Sequence, residues 1–256
     1  MLETWKLSFQ IVYRNWLVYR KDLISNISPT VTDPAFYILS LGLGLGAYVS
    51  EMNGRSYMEF LAPGMAVSSA MWTAFFETSY GFYVRMTFEN VFKAMLTTPI
   101  GVREIIIGEF MWVSVKGAIM IFGVSLALMP FGLFKNPLNL LLIPMVGVLV
   151  ALPLGALGLI ASCLIRNINQ FQITYSLVIS PLYFFSGVFF PVENMPLALK
   201  TAASCLPLYH GVLVARSLYW DQNILQTLLT SVPVLLLHSA VLLTIAYRLV
   251  SKKLQE

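Results

Sequence analysis

The chain has 256 residues, of which 58% are hydrophobic and only 11% charged, and its mean hydropathy is +0.77. That balance excludes an ordinary soluble domain or a disordered chain and makes lipid the expected solvent. The formal charge of +4 does not indicate nucleic acid as a partner, because the bases are scattered singly and form no patch interleaved with stacking aromatics.

Near the N-terminus, Leu2, Trp5, Phe9, Val12, Trp16 and Tyr19 recur every three or four residues, with Lys6, Gln10, Arg14 and Lys21 largely off that stripe. The pattern predicts an amphipathic helix within 1–27. Two tryptophans flanked by bases suit a headgroup boundary, so Trp5, Phe9, Arg14 and Trp16 are read as anchoring an interface helix; a helix packed on protein would show the same period.

Six windows are long enough to cross about 30 Å of hydrocarbon at about 1.5 Å per residue: 29–49, 62–83, 105–129, 138–165, 168–190 and 224–250. The expected fold class is an all-α membrane protein with six transmembrane helices in a single transmembrane domain. In the first window, "GLGLG" at 42–46 lacks the lysine and the preceding strand of a phosphate loop, and Gly42 and Gly46 fit the small-xxx-small pattern of close helix packing.

The second window carries Ser69, Trp72, Phe76 and Tyr80 on one helical face. Such a stripe is ordinary packing or a surface along which sugar rings or acyl chains slide. Intramembrane charge is expensive and therefore informative. Lys116 lies roughly 16 Å into the third window, Glu77 about 9 Å from the near end of the second and Glu109 about 6 Å from the same end of the third. Lys116 can reach toward either acid, with Glu77 favoured across adjacent helices.

Between these windows, 84–104 concentrates charge. Residues 89–96 have good helical propensity, with Phe92 and Met95 on an apolar side. Thr98-Pro99 ends that helix, since proline disfavours helix at the residue before it and lacks an amide hydrogen. Arg103-Glu104 then restores polarity just before the third window.

The segment 191–223 is too apolar for a solvated loop, and its run from Leu197 to Leu206, bracketed by Pro196 and Pro207, makes a helix of only about 15 Å. It reads as a re-entrant hairpin on the outer side or as an amphipathic helix resting on the surface. Sorting bases along six spans gives eleven (Lys6, Arg14, Arg20, Lys21, Arg85, Lys93, Arg103, Arg166, Arg248, Lys252, Lys253) on one side against four (Arg55, Lys135, Lys200, Arg216) on the other. The positive-inside rule then places both termini in the cytoplasm of a multi-pass inner-membrane protein.

No HExxH, paired intramembrane aspartates, GxSxG or Cys/His cluster appears, so neither catalytic nor metal-binding residues are assigned. An intramembrane enzyme and a structural scaffold are the rival classes.

"AMLTTPIGVREIIIGEF" resembles the segment between the second and third spans of ABC-2 type transporter permeases, and "SPLYFFSGVFFPVENMPLALKTAASCLPLYHGVLVARSL" is similar to that family's C-terminal signature. "IIIGEFMWVSVKGA" and "LPLYHGVLVARSL" look most like the subfamily that exports nodulation lipochitin oligosaccharides. The resemblance implies a homodimeric exporter permease, embedded in membrane lipids, with two copies of a cytoplasmic ATP-binding subunit that carries ATP and Mg; this chain itself binds no cofactor. Its substrate would be an amphiphile such as a lipid-linked or acylated saccharide, with a drug as the alternative. Glu89, Phe92, Lys93, Met95, Thr98, Pro99 and Arg103 would couple to the ATPase. Trp72, Phe76, Tyr80, Phe185, Phe189 and His210 would line the path and outer gate.

Overall fold

The computed structural model describes residues 2–49 and 51–255, and of Leu2, Pro29 and Thr30 the backbone alone. Among the described residues the chain is helical throughout, the one β pairing being an isolated bridge between Met52 and Arg55.

Helix α1 (Leu2–Tyr19) turns through one 3-10 step into α2 (Leu23–Gly44). It is amphipathic in two senses. Ser8, Ile11, Asn15 and Tyr19 are buried, while Trp5 and Phe9 stay 58% and 61% exposed. The protein-packing reading therefore holds for one face of the helix, and Trp5 and Phe9 stand on the other. Leu2, the first member of the predicted stripe, has its side chain outside the described residues.

Helix α3 (Tyr57–Phe76) begins at Ser56, whose Oγ accepts the Glu59 amide at 3.3 Å, and passes without interruption through a π-turn at Glu77–Gly81 into α4 (Phe82–Thr87). A left-handed Asn90 reverses the chain into α5 (Val91–Leu96). The Thr97 and Thr98 hydroxyls bond back to the carbonyls of Ala94 and Met95 at 2.8 and 2.6 Å, closing α5 where Pro99 forbids its continuation. Helix α6 (Val102–Leu128) starts with Glu104 accepting the Gly101 amide at 3.1 Å.

Helix α7 (Ile143–Leu164) follows, then α8 (Gln170–Thr174), a second π-turn at Tyr175–Ile179 and α9 (Ser180–Phe185). The last elements are α10 (Leu197–Ser204), α11 (Pro207–Trp220) and α12 (Ile224–Gln255). Among the described residues, three runs are long and apolar enough to cross a membrane: Val102–Phe131, Pro137–Leu164 and Ile224–Gln255. The pair α10 and α11 reaches the same threshold jointly but bends by 82° between Ser204 and Pro207. The windows at 29–49, 62–83 and 168–190 hold α2, α3 and the α8–α9 run.

Helix α7 is the hub, packed on α6, α12 and α3. Its backbone meets that of α6 where a Cβ on Gly147 would stand 2.6 Å from the Gly117 carbonyl oxygen. This is a close helix approach that suits small residues; of the predicted pair, Gly42 has Met58 of α3 at 3.2 Å from where a Cβ would stand, whereas Gly46 has no neighbour within 4 Å. A second apolar cluster, with Ile11, Phe82, Phe92, Ile105 and Ile106 among its members, gathers α1, α4, α5 and α6 at one end of the bundle.

Candidate functional site

The α3 stripe forms one wall of a cleft of about 660 Å³. Helix α2 supplies Asn26, Asp33 and Tyr37 opposite, α9 supplies Tyr183, and Glu77 with Lys116 stand at one end. Trp72 sits edge-on to Tyr183 at 5.9 Å between ring centroids, and Phe76 lies 4.6 Å from Tyr175. Phe76 and Tyr80 are 44% and 45% exposed, so the stripe is an open surface as well as a packing face. Ser68 and Ser69 donate to carbonyls of their own helix at 2.7 Å.

The charged end is a largely buried chain of contacts in which Glu109 alone among the charged groups is fully enclosed. Lys116 Nζ donates to Glu77 Oε2 at 2.6 Å and lies 4.9 Å from the centre of the Tyr19 ring. Arg85 bridges two acids, with Nη1 3.0 Å from Glu77 Oε1 and Nη2 2.7 Å from Glu109 Oε2. Glu109, wholly buried, also accepts Asn15 Nδ2 at 3.1 Å, and Asn15 Oδ1 accepts Arg14 Nη1 at 2.9 Å. Burial, followed by the nearby Glu77 carboxylate, pushes the Tyr19 phenol up to about 12, so it is neutral at physiological pH.

Two π-turns meet beside this cluster. In the first, the Phe82 amide bonds to Glu77 O, five residues back, and Arg85 Nη2 reaches the same carbonyl at 3.4 Å. The second has a local cause: Pro181 lacks the amide that would close an α-turn, and Ser180 Oγ bonds to Tyr175 O at 3.0 Å. Ser79 Oγ and Tyr175 OH, 3.5 Å apart, join the two turns. π-Turns within helices occur often at functional sites because they widen the helix locally.

The structure thus brings Trp72, Phe76, Tyr80, Glu77 and Lys116 together. Glu109 belongs with Arg85 and Asn15, not with Lys116. Phe189 packs edge-on to Tyr183 at 5.0 Å, while Phe185 is exposed and His210 holds Ser204 O through Nε2 at 2.9 Å, away from the cleft. Glu89, Lys93, Thr98, Pro99 and Arg103 form an exposed edge with Met95 half-buried beside them. Phe92 is not part of that edge: it is 1% exposed and stacked on Phe82 at 4.5 Å, and so ties α5 to α4.

Arg85 and Arg216 are the residues that sorting bases along six spans misplaces. Counting both as solvated charges satisfied the topology rule, yet Arg85 sits at the centre of the cluster. Arg216 is 7% exposed, stacked 3.8 Å over Phe60, with Nη2 donating to Gly187 O at 2.7 Å. Asp33 within the first window carried a legible signal, being a lone acid in an apolar run.

The ABC-2 type transporter family model matches residues 7–220, from α1 to the end of α11. The chain belongs to the ABC-2 type transporter family. It is 34% identical to Nodulation protein J of Rhizobium leguminosarum bv. trifolii over 79% of this chain and 77% of the relative. It is 32% identical to Nodulation protein J of Rhizobium meliloti (strain 1021), again over 79% and 77%. The Inner membrane transport permease YadH of Escherichia coli (strain K12) is 23% identical over 68% of this chain and 67% of its own length. The ABC-2 match covers the cleft, the ion cluster and the α4–α5 segment, and with the apolar helices it makes the chain a membrane protein of transport-permease type.

Proposed function

We propose that this ABC-2 protein is the permease subunit of an ATP-driven exporter that moves an amphiphile, a lipid-linked or acylated saccharide, outward across the cytoplasmic membrane. The observation that carries the reading is the cleft: aromatic faces run along α3 and α9, and a charged cluster closes one end. An acyl chain or the flat face of a sugar ring suits the former, and a polar head suits the latter.

Six spans with both termini in the cytoplasm follow the bias of bases and would take the α2, α3 and α8–α9 windows in addition to the three runs long and apolar enough to cross. The 82° elbow between α10 and α11 supports a re-entrant hairpin. At that elbow the Cys205 carbonyl accepts His238 Nε2 at 2.9 Å, and His238 lies about 21 Å along α12 from Ile224. Two permeases would pair with two copies of an ATP-binding subunit, which carries ATP and Mg. The edge formed by Glu89, Lys93, Met95, Thr98, Pro99 and Arg103 would meet that subunit, and Phe92 would transmit its motion into α4. A stiff helix rooted in a packed core can bias the dimer between two states, provided the ATPase contacts differ between them.

Purification of the tagged permease from its native membrane, followed by mass spectrometry of proteins and bound lipids, tests the reading. Co-elution of an ATP-binding subunit with an acylated or lipid-linked saccharide is expected. A bound drug-like amphiphile would favour the drug-exporter alternative, and a permease that never elutes with an ATP-binding protein would sink the exporter reading.

A further inference from the structure

We propose that the ion cluster centred on Glu77 is the inner gate of the transport path, separating the aromatic cleft from a second, polar cavity through which the substrate's head enters. The proposal rests on the permease reading above. The second cavity, about 360 Å³, lies beside α1 and α4 and is lined by Arg14, Asn15, Asp22, Arg85 and Glu89. It shares Asn26, Glu77, Tyr80, Gly81 and Lys116 with the cleft, so these residues form the partition between the two spaces.

Three features make the partition a gate and not merely a wall. First, the Tyr19 hydroxyl and Arg85 Nε, both lining residues of the smaller cavity, are buried with no hydrogen-bond partner among the described residues. Buried polar groups are nearly always satisfied, so these two mark a place for water or a polar head. The smaller cavity is the more polar of the two and the larger is mainly aromatic, and an amphiphile's two halves match that difference.

Second, the bonds that close the partition are ionic. Opening it rehydrates Glu77, Arg85 and Lys116, and the regained solvation offsets much of the lost attraction. An apolar plug of the same size would expose its surface without that return.

Third, the cluster is wired both to α5, which would touch the ATPase, and to α1. Arg85 stands one turn after Phe82, which stacks on Phe92 of α5, and Glu109 is held by Asn15 of α1. Displacement of α5 reaches Arg85 through Phe82, and displacement of α1 reaches it through Glu109.

The test places a cysteine at Tyr37, an exposed cleft residue that the smaller cavity does not share, in a chain carrying Cys163→Ser and Cys205→Ser. Sealed vesicles of each orientation are treated with a charged, membrane-impermeant methanethiosulfonate. With the native cluster, labelling from the α5 side is expected to be slow. Glu77→Gln with Lys116→Met keeps the bulk and leaves Arg85 paired with Glu109; it is expected to speed labelling from that side at least tenfold. Lys116→Arg, which keeps the pair, is expected to stay slow. Unchanged elution and a single cooperative thermal transition in all three variants establish that they fold alike; if the double variant does not fold, Lys116→Met alone takes its place with faster labelling from that side expected. Equal labelling rates in every variant, or acceleration only from the opposite face, would overturn the gate. The readout uses neither ATP nor substrate, so a failed search for an ATP-binding partner would not change what the labelling rates say about the gate.

Discussion

Arg85 holds two carboxylates at once, and the wholly buried Glu109 has no other cation within 4 Å among the described residues. Replacing Arg85 with Met strands that charge, and breaking a buried pair from one side costs about 3–5 kcal/mol. Lys116→Met leaves Glu77 still paired with Arg85, so a loss of about 1.5–3 kcal/mol is expected, the scale of one charged hydrogen bond. Thermal unfolding of the purified variants gives the ranking, and a Lys116 variant less stable than the Arg85 variant would contradict it. The Lys116–Glu77 contact was legible in the sequence because depth along two neighbouring helices is simple arithmetic. Arg85 was not: at the end of an apolar window a base looks solvated, and only the continuation of α3 into α4, pinned by Phe82 on Phe92, turns it inward. Arg216 escaped for a related reason, since its compensation comes from carbonyls and an aromatic face distant in sequence.

Elements were easier to read than contacts. Pro99 and the threonines before it announce the end of α5, and the three-to-four spacing announces α1. The sequence did not say which face of α1 would turn to protein, because serine and asparagine, buried at Ser8 and Asn15, give no hydrophobic signal. The close helix approach was equally hidden: glycines occur in α2 and in α7, and only the folded chain shows that Gly147 abuts α6. A Cβ there would also stand 2.6 Å from Ile121 Cγ2. Gly147→Ala should therefore lower stability by about 1–3 kcal/mol, the usual cost of overpacking, read as a fall in the thermal midpoint; Gly46→Ala, open in this chain, should not. On the α5 edge, Glu89→Ala with Arg103→Ala removes only exposed charge and should leave assembly intact. Transport-linked ATPase stimulation in reconstituted complexes should drop at least about fivefold, the low end of typical coupling energies. Undiminished stimulation would move the coupling surface elsewhere.

Across the whole molecule, one continuous helical run from Tyr57 to Thr87 joins the cleft wall, the ion cluster and the support of α5. The π-turn in its middle is a helix holding one residue more than its path requires. A spare residue can be removed without disturbing either flank. Deleting Ser79 should therefore let the turn close as ordinary α-helix, with Trp72 on one side and Arg85 on the other keeping their directions. Deleting Ala70, where the helix is regular, should instead rotate everything beyond it by about 100° and carry Arg85 away from Glu109. The first deletion is expected to yield a folded, membrane-inserted protein and the second an aggregated one, as size-exclusion chromatography of the two would show. The π-turn is thus slack stored in the chain at the point where the cleft meets the machinery that would drive it.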